Sequence, residues 1–160
     1  MFRYLIPPIA CFLIAASASL ADDFIISTAV TTTNGGKTVG GSDTLTVTGT
    51  GSVSTADLGA VLGTGNDISL RNDGTITALV TDRRIAAHGL AIAGNNGALL
   101  NTGTLDIGFQ PLATNRRRTV SREMIITGDH GSIINTGEIA SRHSSQTSIE
   151  YIGDYGSILN

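Results

Sequence analysis

Apolar residues in this chain come in two kinds of run. From Leu5 to Ala16 they are almost unbroken. Beyond Ala21 they come in short groups, as in Leu90-Ala91-Ile92, Leu99-Leu100 and Met124-Ile125-Ile126, with Gly, Ser, Thr, Asn and Asp between them. No segment there carries a 3.6-residue apolar period, so helices are not expected. Short β-prone runs bounded by Gly and Asx read as strands joined by turns.

These runs repeat. Asn101-Thr102-Gly103-Thr104-Leu105 recurs as Asn135-Thr136-Gly137-Glu138-Ile139 and as Asn72-Asp73-Gly74-Thr75-Ile76, and a 23-residue unit aligns around these anchors without a gap. Copies span 54–76, 83–105, 117–139 and 142–160, the last incomplete, with a more divergent copy at 31–53. Linkers of 0, 6, 11 and 2 residues separate them, the longest running from Asp106 to Arg116. A column of Ser42, Gly65, Gly94, Gly128 and Gly153 precedes Asp43, Asn66, Asn95, Asp129 and Asp154. Such residues tolerate positive φ or bond their own backbone in a turn. An apolar column follows (Val47, Leu70, Leu99, Ile133, Ile158), and two positions on stand Gly49, Asn72, Asn101, Asn135 and Asn160. The unit closes on Val53, Ile76, Leu105 and Ile139.

A unit this short cannot bury its apolar face alone, whereas stacked copies can. The predicted fold is all-β: a right-handed parallel β-helix (β-solenoid) of about five ~23-residue coils. Equivalent residues would then lie about 4.8 Å apart, the sheet spacing. Leu70, Leu99, Ile133 and Ile158 should stack inside the bore, with the asparagines as an amide ladder at a neighbouring turn. Linkers should bulge from one corner, so changes in 106–116 should be nearly silent. A leucine-rich repeat has a similar period, but it needs leucines in strict register around its Asn. Here Gly occupies the second place after Asn, which excludes it.

The apolar run at the start changes the picture of where the chain goes. One positive charge, Arg3, precedes it, and Ala18-Ser19-Leu20-Ala21 places small residues for a cut after Ala21. The run is too short to span a bilayer, so residues 1–21 read as a cleaved secretory signal peptide. Residues 22–30 read as an N-terminal cap strand and 31–160 as the solenoid. The only cysteine, Cys11, lies in the signal, so the mature chain can form no disulfide. Hydrophobic content of 41% is too high for disorder. A net charge of −3 selects no partner by itself.

The signal segment, the cysteine-free mature chain and the repeated Gly-Asx-x-Gly-Ser-Ile-Ile/Leu-Asn-Thr-Gly-x-Ile unit together resemble the passenger region of bacterial autotransporters, over residues 31–160. The resemblance implies export to the cell surface of a Gram-negative bacterium, with attachment to the outer membrane through a C-terminal β-barrel. No barrel is present, and the chain stops inside a repeat at Ile158-Leu159-Asn160, so it is read as an N-terminal piece or a truncated gene product. The expected function is a non-enzymatic extracellular passenger or stalk with adhesive capacity. The alternative is a secreted β-helical enzyme that degrades polysaccharide. The open sheet edge at Asn160 is expected to recruit strands and drive self-association.

Candidate chemistry is sparse. Arg83-Arg84, Arg117-Arg118 and Arg142-His143 fall at the same two positions of three successive copies, and His88 and Arg122 share a further column. Stacking would gather this charge into a strip able to bind surface glycans or other polyanions. Nucleic acid is not expected as a partner, since no aromatic residue interleaves with these arginines. Asp129-His130 and Asp154-Tyr155 would place two carboxylates one coil apart, a spacing open to calcium or to glycosidase chemistry. The same column accepts Asn66 and Asn95, however, and so reads as turn chemistry. Gly41-Ser42-Asp43-Thr44-Leu45 and Gly63-Thr64-Gly65-Asn66-Asp67 echo calcium nonapeptide repeats but lack their tandem period. Threonines 44, 46, 48 and 50 alternate as on the solvent face of a strand. No catalytic residue, metal ligand or cofactor is nominated.

Overall fold

Every second side chain of a short strand points to one face, and a strand of four to seven residues cannot shield that face alone. The computed structural model describes residues 21–32, 37–56, 59–80, 87–109, 121–142 and 149–160. It winds these strands into a right-handed parallel β-helix of three sheets. The first coil holds β1 (Asp23–Ile26), β2 (Ala29–Thr32) and β3 (Lys37–Val39); the second holds β4 (Thr44–Val47), β5 (Ser52–Thr55) and β6 (Gly59–Thr64). The third is β7 (Ser69–Asn72), β8 (Thr75–Val80) and β9 (Ala87–Ala93), and the fourth is β10 (Ala98–Asn101), β11 (Thr104–Phe109) and β12 (Ser121–Thr127). The fifth is β13 (Ser132–Asn135), β14 (Glu138–Arg142) and β15 (Ile149–Ile152), after which β16 (Ser157–Leu159) rejoins the first sheet. The first strand of every coil belongs to one sheet, the second to another and the third to a third. The corners between successive sheets are called first, second and third below.

Leu45, Leu70, Leu99, Ile133 and Ile158 form one inward column in register. Val53, Ile76 and Leu105 form another on the second sheet, and Val61, Leu90 and Met124 a third. Leu45, Leu70, Leu90, Leu105, Met124 and Ile133 are wholly buried. Burying such a side chain contributes about 1.5–3 kcal/mol. The columns together form one continuous core cluster. Ile158, on the last rung, is 48% exposed.

The asparagine ladder forms at the first corner as the sequence predicts. Asn72 Nδ2 donates to Asn101 Oδ1 at 2.7 Å, Asn101 Nδ2 to Asn135 Oδ1 at 2.8 Å, and Asn135 Nδ2 to Asn160 Oδ1 at 2.7 Å. Asn72 and Asn101 are fully buried, so each amide depends on its neighbours for partners. The ladder's first acceptor, Asn72 Oδ1, has none. Val47 occupies the same column one coil earlier and offers no donor.

The gap-free alignment fails in the copy at 31–53. Leu45, not Val47, pairs with Leu70, while Val47 pairs with Asn72. Ser52 still pairs with Thr75. Thr48, Gly49 and Thr50 therefore fill a first corner that Asp73 alone fills in the next coil, an insertion of two residues that a rigid 23-residue frame hides. The proposed cap, 22–30, contributes a regular rung, since β1 pairs with β4 and β2 with β5. The segments read as linkers begin as strand. Thr77 to Val80 and Asp106 to Phe109 extend β8 and β11, with Ala78 and Ile107 wholly buried. Ile107 removes it from the stretch expected to tolerate change, because its side chain fills the bore. The segment 1–21, read from the sequence as a signal peptide, lies outside the described residues apart from Ala21.

Candidate functional site

In the three later coils the residues between the second-sheet and third-sheet strands, 81–86, 110–120 and 143–148, lie outside the described residues. The basic pairs, Arg142 apart, fall in these segments of the sequence. Arg83, Arg84, Arg117, Arg118 and His143 lie outside the described residues. Arg142 closes β14 opposite Gly108, and its side chain is likewise not described.

The neighbouring column is described. Arg122 on β12 pairs with His88 on β9, as the shared column predicts, and Gly59 on β6 precedes them. The Arg122 guanidinium makes an ion pair with Glu150 of β15, which the sequence reading did not foresee. His88 Nδ1 is buried without a hydrogen-bond partner. Burial first, and the adjacent Arg122 charge second, hold the His88 imidazole below its ordinary pKa, against the opposing pull of Glu150. Glu123, beside Arg122, is a fully buried carboxylate. Its column holds Gly89 on β9, where an added Cβ would press on the Glu123 carbonyl oxygen. A charged residue replacing glycine in the column next to His88 and Arg122 was the available signal, and the sequence reading did not use it.

The third corner carries a second ladder. Asn66 Oδ1 accepts from Asn95 N, Asn95 Oδ1 from Asp129 N, and Asp129 Oδ1 from Asp154 N, each at 2.9 Å. The Asx side chains therefore bond the next coil rather than their own turn. Gly94, just before one of them, has φ +154°, and a Cβ there would collide with the Gly65 carbonyl oxygen of the preceding coil. Only glycine lets the corners approach at sheet spacing. The residue after each Asx adopts a left-handed conformation: Asp67 at φ 60°, Asn96 at 58°, His130 at 58° and Tyr155 at 59°. Asn96 Nδ2 donates to Asp67 Oδ1 at 2.8 Å, and one coil on the rings of His130 and Tyr155 stack, 5.0 Å between centroids and 8° between planes. Ser42, at φ 63°, is the counterpart in the second coil, which leaves Asp43 inside the turn rather than in the Asx column. Asp43 accepts from Asp22 N at 3.0 Å and from Gly40 N at 2.8 Å.

On the first sheet Arg71 pairs with Asp73 at 2.7 Å, and Thr102 Oγ1 also donates to Asp73 at 2.7 Å. These bonds, Arg71's first, hold the Asp73 carboxyl below the usual carboxylate range. At the C-terminal end the bore opens into a hollow of about 390 Å³ lined by Asn135, Ile139, Ile149, Ile158 and Asn160. Among the described residues no three His, Cys, Asp or Glu side chains converge as a metal site. The carboxylates at 129 and 154 instead serve the turn ladder through Asp129. Compared with known proteins, the chain matches no family model, no curated protein and no solved structure.

Proposed function

We propose that this chain is a length of an exported, non-enzymatic surface rod of the autotransporter-passenger kind, which displays binding surfaces away from a Gram-negative cell. The observation that supports this most is axial continuity. All three sheets run unbroken through every described coil, and amide and Asx ladders join one coil to the next. Such an object gains length by adding coils and needs no cleft. The leader-like segment at 1–21 supplies the export half of the reading. Adhesion would fall to residues outside the bore, with the basic strip of Arg83, Arg84, Arg117, Arg118, Arg142 and His143 facing surface polyanions.

Export is tested by expressing the chain in a Gram-negative host and weighing the product. A mature mass beginning at Asp22 in the cell envelope is expected; an unprocessed cytoplasmic chain overturns the reading. The strip is tested on immobilised heparin across a salt series. Replacing Arg83, Arg84, Arg117 and Arg118 by serine should lower the salt needed for elution, because exposed charges act together and are screened. Equal retention would leave those arginines as solvated side chains.

A further inference from the structure

His88 stands near the start of β9, shortly after Arg83-Arg84 in the sequence, and Arg122 holds the same place on β12 after Arg117-Arg118. These two side chains are the sheet-anchored margin of the basic strip. His88 Nδ1 is buried without a partner, so a proton placed there becomes a donor with nothing to accept it. The elements packed against β9 are β6, β8, β10, β11 and β12, and the first three carry no ionisable residue. β12 presents Arg122, a like charge in register with the ring. Glu123 beside it is fully buried in the column of Gly89, where a Cβ would meet Ile107 of the bore. Asp106 of β11 falls between the inward Leu105 and Ile107, on the outer face of the second sheet. Among the described residues that leaves Glu150 of β15, which is already bonded to Arg122 Nε. Burial first and the Arg122 charge second lower the His88 pKa, so the ring is neutral near pH 7.

We propose that His88 and Arg122 form a proton-gated site for the sulfate esters of a glycan, which makes the basic strip bind more tightly in acid. The proposal rests on the polyanion reading of the strip and adds its regulation. A protonated His88 has a guanidinium beside it and no acceptor in the protein, so it favours turning towards an incoming oxyanion. The ester's oxygens supply the acceptor that the fold lacks, and bridging His88 and Arg122 relieves their repulsion. By linkage the ligand raises the His88 pKa, and the proton raises ligand affinity by the same factor. Affinity therefore climbs as pH falls below the pKa of the bound state and levels off below that of the free protein. Sulfate suits such a gate better than phosphate. A sulfate ester stays ionised throughout, whereas a phosphate monoester takes up a proton near about pH 6 and loses charge as the gate opens. One coil earlier Gly59 occupies the column of His88, and Ser54-Thr55 stand in place of the arginines, so the gate and the strip begin together.

The test is calorimetric titration of the full chain and of His88→Gln with a heparin hexasaccharide, at about pH 7.5 and about pH 5, on either side of the ordinary histidine pKa. Ionic strength is held constant, because exposed charges are screened. His130 and His143 titrate in both proteins, so the difference between them isolates His88. The two should bind alike at the higher pH, and on acidification the parent should gain about fivefold more affinity than the variant. A second readout needs no variant: the pKa of the His88 ring, followed by NMR, should rise when the hexasaccharide is added. Inositol hexakisphosphate should gain less than heparin on acidification, and an equal or larger gain overturns the sulfate assignment. Equal pH dependence of parent and variant, or a His88 pKa unmoved by a hexasaccharide that binds, overturns the gate and leaves the strip standing. Absence of heparin binding at both pH values overturns strip and gate together.

Discussion

The first two coils and the later three share the same sheets, yet they close the first corner by different chemistry. In the early coils the inward residue is aliphatic, Ile26 and then Val47, and the second coil spans the corner with Thr48, Gly49 and Thr50. Hydroxyls hold that turn. Thr48 Oγ1 donates to the Ile26 carbonyl at 3.3 Å, and Thr50 Oγ1 to that of Ser27 at 3.1 Å. From Asn72 onward an amide fills the corner, one residue replaces three, and backbone N–H groups of Thr102 and Gly103 donate to the Asn72 carbonyl. The difference teaches that parallel register does not require the amide ladder. The ladder adds selectivity. An aliphatic corner packs against any apolar neighbour, whereas a buried amide accepts only a partner that completes its hydrogen bonds.

Four substitutions test that contrast. The largest effect is expected from Ile133→Asp, which puts an unpaired charge inside the bore between Leu99 and Ile158. A loss of more than about 4 kcal/mol, seen as loss of a cooperative thermal transition, is expected. A folded variant with normal melting would mean the column is not a core. Asn101→Leu comes next, at about 2–3 kcal/mol, because it strips a buried donor from Asn135 Oδ1 and a buried acceptor from Asn72 Nδ2. The loss is softened by the 3.2 Å bond from Asn72 Nδ2 to the Thr104 carbonyl. Urea titration would measure it, and a neutral result would reduce the ladder to decoration.

His88 sharpens the comparison through pH. Its counterpart in the second coil is Gly59, so only the later coils carry this titrating group. Its folded pKa lies below the unfolded value of about 6.5. Below that value the unfolded chain takes up the proton first, so the stabilisation is complete above about pH 6.5 and is lost as pH falls through the folded pKa. Relative to His88→Gln, the parent should therefore lose stability on acidification from pH 7 to pH 5, with amide exchange rising first in β9 and β12. Parallel pH profiles would remove His88 as the cause. The smallest effect should come from Val47→Asn. The new amide can donate to Asn72 Oδ1, but its own oxygen then faces Ile26, so the orphan acceptor only moves up one coil. A change within about 0.5 kcal/mol is expected; a loss above about 1.5 kcal/mol would show that corner geometry, not amide pairing, separates the two regions.

The parallel coil was legible because identical residues fall where neighbouring strands meet, and Leu70, Leu99 and Ile133 sit in the column read from the repeat. The copy at 31–53 was misaligned because glycine and threonine suit several turn lengths, so Gly49 could stand in for an asparagine two residues away from the true register. Reading Asp106 to Phe109 as linker had a similar cause: a strand can outlast the repeat unit, and Ile107 reveals itself only by burial. The Asx column was seen, but its direction was not, since composition cannot say whether Asn95 bonds its own turn or the next coil's Asp129. The aromatic pair at the third corner emerged only from φ and ring geometry, because His130 and Tyr155 look like ordinary variation in a turn column.

The ladder from Asn72 to Asn160 also has an electrical sense. At every step the Nδ2 of one coil donates to the Oδ1 of the next, so four amide dipoles point the same way along the axis. A sheet contributes little net dipole to offset them. Aligned bonds polarise one another in a low-dielectric interior. The Asn72 end of this wire is a bare oxygen, and at the Asn160 end the amide hydrogens lead out toward the mouth of the bore. Whatever closes that mouth must present an acceptor to Asn160, and a purely aliphatic plug would leave the whole chain of dipoles unterminated.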